Sequence, residues 1–171
     1  MTQHPSQQTP YRPLYTPDER RRRDESPWTL VQGILAPIQF VVFLVSLYLV
    51  LSYLATGEGY LAATISVIIK TLVLYTIMIT GSIWEKVVFG KYLFAEAFFW
   101  EDVFSMLVLA LHTAYLVAIF TLDTQAQMFI ALAAYATYII NAGQFLIKLR
   151  AARLEGQRRA AQGGDLAGAA E

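Results

Sequence analysis

The chain has 171 residues, 56% of them apolar, above the roughly 45–50% usual for a soluble domain. Lys plus Arg number 13 and Asp plus Glu 13, so the net charge is zero, yet the Arg residues crowd the two ends. There is no cysteine, which excludes disulfides, thiolate metal sites and Cys nucleophiles, and the two histidines, His4 and His112, leave no His-rich metal cluster.

Residues 1–27 are rich in Pro, Gln, Thr and Arg and cannot bury enough apolar surface to fold alone, so a disordered tail is expected there. The run Arg20 to Arg23 could touch anionic lipid, but reads first as a topology signal. Four long apolar stretches follow, at about 29–55, 61–83, 98–120 and 126–148. Each is long enough for a helix to cross about 30 Å of hydrocarbon. The first is too long for a signal-peptide core and lacks a small-residue cleavage site, so it is expected to be retained. A soluble bundle is excluded because the four stretches leave almost no polar face. The sequence therefore predicts an all-α integral membrane four-helix bundle over residues 28–150, with disordered cytoplasmic tails at 1–27 and 151–171.

Orientation follows from the basic residues. Arg12 and Arg20–Arg23 precede the first stretch, Lys86 and Lys91 lie between the second and third, and Lys148, Arg150, Arg153, Arg158 and Arg159 follow or close the fourth. The other two connections, "TGEGY" and "LDTQ", carry no Lys or Arg, so both termini are expected in the cytoplasm. Between the second and third stretches, "WEKVVFGKYLFAEAFFWED" is aromatic throughout. It should lie partly helical at headgroup level, as a lip that suits a flat amphiphile, with Trp84 and Trp100 as candidate contacts.

Several polar residues interrupt the apolar stretches. Glu101, Ser105, His112 and Tyr115 share one helical stripe, and Lys70, Ile77, Gly81 and Glu85 make a looser one. Counting along the helices puts Glu85, Glu101 and Asp102 near the inner side and Lys70 and His112 together nearer the outer side. Glu101 and Asp102 open a helix, where the dipole favours carboxylates; that accounts for one of them better than for two. His112 reads either as an interhelical hydrogen bonder or as a ligand. Gln32, Gln39, Asn141 and Gln144 read as interhelical glue, and Pro37 as a kink. Lys70 lies too deep to snorkel and needs an anionic partner or the loss of its charge. No phosphate loop, dinucleotide fingerprint, zinc-protease or serine-hydrolase motif is present, which leaves acid–base work by buried carboxylates as the candidate chemistry.

Six segments, "WTLVQGILAPIQF", "LATGEGY", "IIKTLVLY", "WEKVVFGKYLFAEAFFWEDVFSM", "ALHTAYLV" and "YIINAGQFL", together resemble the 3-vinyl bacteriochlorophyllide hydratase family of anoxygenic phototrophs, over roughly Leu14 to Leu154. The long aromatic block makes the resemblance specific. It implies a multi-pass hydro-lyase of the bacterial inner membrane, acting in bacteriochlorophyll biosynthesis and so in photosynthesis. Such an enzyme adds water across the C3-vinyl group of 3-vinyl bacteriochlorophyllide a or chlorophyllide a and leaves a 1-hydroxyethyl group. Its expected partners are the magnesium chlorin, the bilayer and neighbouring enzymes of that biosynthesis. No cofactor and no nucleic acid are expected.

On that resemblance the residues take expected roles. Glu101 is the first choice for proton donor to the terminal CH2, with Asp102 or Glu85 positioning water. Lys70 would meet the substrate propionate. His112 would be neutral, since a second cation beside Lys70 would be repelled, and so could ligate the substrate magnesium; the protein itself is expected to hold no metal. A rival reading is a pigment carrier or photosynthetic-complex assembly factor, which would need His112 and the aromatic lip but not the carboxylates.

Overall fold

The computed structural model describes residues 14–168, and all regular structure among them is helical. In chain order the helices are α1 (Pro17–Glu25), α2 (Pro27–Thr56), α3 (Tyr60–Phe89), α4 (Phe99–Thr121) and α5 (Thr124–Gly168). Residues 1–13, which include His4 and Arg12, lie outside the described part, as do the side chains of Arg158 and Arg159.

Residues 17–25, expected in a disordered tail, form a helix instead. The local cause is a capping box: the Thr16 hydroxyl accepts from the Glu19 N–H at 3.3 Å, and the Glu19 carboxylate accepts from the Thr16 N–H at 2.8 Å. Asp18 and Glu19 in the first turn and Arg22 and Arg23 in the last complement the helix dipole. A tertiary anchor adds to this. Tyr15 is buried, stacks on Phe89 at 5.7 Å and lies under the Arg23 guanidinium at 4.7 Å. Helical backbone also continues through 151–168, where the sequence reading places a disordered tail.

Helices α2 to α5 contain four spans long and apolar enough to cross a membrane. Their chain order makes two antiparallel hairpins, α2–α3 and α4–α5. The first turns at Gly57, whose left-handed φ of 75° ends α2 at little cost only because it has no Cβ. Helix α3 runs past Ile83 to Phe89, because Gly90, with φ 82°, supplies the first backbone stop. At about 1.5 Å per residue its length exceeds the ~30 Å of bilayer hydrocarbon.

The hairpins pack side by side through one contiguous core. Phe43, Val50, Val67, Leu74, Val108, Tyr115, Met128 and Tyr135 fill it, and Ala63 and Ala131 let backbones approach closely. Leu30, Val41, Tyr48, Leu61, Leu72, Phe120, Phe129 and Ile147 face outward. Such an apolar exterior matches lipid rather than water. A smaller cluster closes the end that carries the α3–α4 connection, called the lip end below. Its centre is Phe98, which meets Trp84 edge-on at 5.7 Å and stacks on Phe145 at 5.9 Å.

Candidate active site

Polar side chains turn inward at three levels. At the lip end, Glu85, Glu101 and Asp102 are all buried. Glu101 pairs with Lys148 of α5 at 2.5 Å, and the same ammonium donates to the Ala97 carbonyl. Asp102 and Glu85 are held differently. The Phe94 N–H donates to Asp102 at 2.7 Å, and the next N–H, that of Ala95, donates to Glu85 at 3.3 Å. Phe94 has φ 59°, a left-handed conformation that aims successive amides at the two carboxyl groups. Those two carboxyls are also close enough to interact with each other. A carboxylate is acceptor-only, so two carboxyls this close can bond directly only if one of them carries a proton.

One level deeper, the Asn141 amide donates to Ser105 at 2.8 Å, joining α5 to α4. Gln32 donates to Thr80 at 2.8 Å, joining α2 to α3, and so behaves as the glue the sequence suggests. Gln39 is buried with both amide atoms unpartnered among the described residues.

The deepest level holds Lys70 and His112, both fully buried and close enough to interact electrostatically. The Lys70 Nζ has no hydrogen-bond partner among the described residues and sits 3.7 Å from the centroid of the Tyr138 ring. His112 Nδ1 lies 2.8 Å from the Val108 carbonyl, which can only accept, so the Nδ1–H donates, and Nε2 has no partner among the described residues. Tyr135 cannot fill that gap, because its hydroxyl is committed to Ser46 at 2.5 Å, and Ser46 bonds onward to Ser66 at 2.7 Å.

The structure thus brings Glu85, Glu101 and Asp102 together, and Lys70 and His112 together, about 22 Å apart along α3 at ~1.5 Å per residue. It does not gather the two tryptophans. Trp84 is built into the Phe98 cluster with its N–H donated to Thr29 at 2.9 Å. Trp100 is 66% exposed and touches Phe99 edge-on. Sequence reasoning missed Lys148 as a site residue and took it only as a topology charge. The signal was its spacing: Asn141, Gln144 and Lys148 recur at three and four residues, one face of α5. It also missed Phe94, whose backbone conformation no pattern reveals.

Side chains that face inward from four helices long and apolar enough to cross a bilayer define the class: an all-α chain with an apolar exterior and a polar, carboxylate-rich interior. The chain belongs to the 2-vinyl bacteriochlorophyllide hydratase family, whose profile matches residues 15–151. It is 72% identical over 147 residues to the 2-vinyl bacteriochlorophyllide hydratase of Cereibacter sphaeroides, covering 85% of this chain and 92% of that protein. It is 73% identical over 143 residues to the protein of the same name from Rhodobacter capsulatus, covering 83% of this chain and 84% of that one. No solved structure matches. The older and the systematic numbering of the tetrapyrrole place the same vinyl group on carbon 2 and on carbon 3, so this is the family the sequence segments resemble.

Proposed function

We infer that the chain is a hydratase, a hydro-lyase that adds water to the ring-A vinyl group of a vinyl bacteriochlorophyllide in bacteriochlorophyll biosynthesis. Chlorophyllide a, which carries the same vinyl group, is the second candidate substrate. The observation that carries the reading, beside the family, is the burial of Glu85, Glu101 and Asp102 together at one end of a helical assembly with an apolar exterior. Hydration of a vinyl group requires a proton on the terminal CH2 and an oxygen on the inner carbon. The macrocycle stabilises the cation between the two steps. A pair of buried, adjacent carboxyls suits the first step and a carboxylate the second.

The contacts favour a division of labour unlike the one expected from sequence. Glu101, whose carboxylate is taken up in the ion pair with Lys148, is a poor donor. Glu85 and Asp102, buried close to each other and each held by one backbone amide, are the better proton source. Lys70 would neutralise the substrate propionate. His112 Nε2 would occupy the axial position of the substrate magnesium, since a bare imidazole nitrogen is a good ligand for it. The aromatic lip would guide the ring from the bilayer, with exposed Trp100 as its outer contact and Trp84 as support. Membranes containing this protein alone, given the vinyl pigment, should convert it to a product heavier by one water. A pigment carrier would bind without that gain, and the reading would then fall.

The lip end is assigned to the cytoplasm of an inner-membrane protein, because it gathers Arg20–Arg23, Lys86, Lys91 and Lys148 while the opposite connections carry none. Reporter fusions after Glu58 and after Arg153 should therefore lie on opposite sides of the membrane. Two fusions on the same side would overturn this topology.

A further inference from the structure

Resting on the hydratase reading, we propose that Glu101, Asn141 and Gln144 hold the attacking water and so fix the configuration of the new alcohol. Helices α4 and α5 run antiparallel, and two cross-links set their register: Lys148 to Glu101, and Asn141 to Ser105. Gln144 lies between Asn141 and Lys148 on the same face of α5, so it falls between the two rungs. Asn141 is 8% exposed, its nitrogen is used by Ser105, and its Oδ1 has no donor among the described residues. Gln144 Oε1 likewise has none among them. Glu101, paired with Lys148, adds carboxylate oxygens.

Buried acceptors without donors are costly and call for a group rich in O–H. Water is such a group, and hydration consumes one. A water that gives one hydrogen to the Glu101 carboxylate and shares the other between the two amide oxygens turns a lone pair the other way, toward the cation. The balance is complete. The vinyl CH2 takes a proton from the Glu85–Asp102 pair and becomes CH3. The water oxygen then bonds to the planar cationic carbon next to the ring, and its released proton passes to the Glu101 carboxylate. Net, one water is added, and proton exchange between the carboxyls and solvent restores the starting state. Because that cationic carbon can be attacked on either face, a water fixed on one side gives one epimer.

The test is the epimer ratio at the new stereocentre, measured with full-length protein in membranes. Wild type should give one epimer in clear excess. Asn141→Ala and Gln144→Ala should bring the ratio toward an equal mixture, while Asn141→Asp and Gln144→Glu, which keep an acceptor, should retain the excess. A purely structural defect lowers yield without changing the ratio. An unchanged ratio in both alanine variants, or an equal mixture from wild type, overturns the water site and leaves the hydratase reading standing. If the alanine variants make no product, recovery of the single epimer by the Asp and Glu variants supports the site and failure to recover it overturns it. No adduct from wild type would instead remove the hydratase reading itself.

Discussion

Glu85→Gln and Asp102→Asn should each lower hydration by about 10²–10⁴-fold, the usual contribution of a positioned general acid, while the pigment still binds. Both substitutions are close in shape and both remove the ability to pass a carboxyl proton. The two groups act as a unit, since they are buried close to each other and each is held by one amide of the Phe94–Ala95 step. The double variant should therefore be little worse than either single one. Incubation in heavy water should place deuterium on the new methyl group in wild type. Turnover near that of wild type in both single variants would remove the pair from the mechanism and return the donor role to Glu101.

Much of this arrangement is legible in the sequence, and the reasons differ by residue. The long helices are visible because a span must satisfy its backbone internally and cover it with apolar side chains, which leaves an unbroken hydropathy signal. Burial of Glu85, Glu101, Lys70 and His112 follows from helical register and the penalty for charge facing lipid. Pairing is another matter. The match of Glu101 to Lys148 depends on how α4 and α5 slide past one another, and single-helix periodicity carries no information on that. The grip on Asp102 depends on the left-handed turn at Phe94, a residue type that seldom signals one. Composition pointed the wrong way for Pro17–Glu25, where a four-residue capping box outweighed nine almost wholly charged residues. Asn141 and Gln144 were readable only as glue, because an amide's missing partner is a property of three dimensions.

Lys70→Met is expected to do two opposite things. In the free protein the Lys70 amine is fully buried, has no hydrogen-bond partner among the described residues and lies against the face of Tyr138. The carboxylates of Glu85, Glu101 and Asp102 all lie at the lip end, too far along the helices to neutralise it. Keeping the charge there without an anion, or giving it up, is costly, and Met fills nearly the same volume with neither penalty, so the variant should unfold at a higher temperature. Binding should move the other way. A substrate carboxylate would be the missing counter-anion, and hydrogen bonds to charged groups are worth about 1.5–3 kcal/mol, or roughly one to two decades in Kd. Lys70→Met should lose that much affinity for the free-acid pigment and almost none for its methyl ester. His112→Phe, in the same titrations, should weaken the magnesium pigment more than its metal-free form. Equal affinities for acid and ester in wild type would show that Lys70 meets no propionate. A lower unfolding temperature for Lys70→Met would show instead that the fold already neutralises this charge.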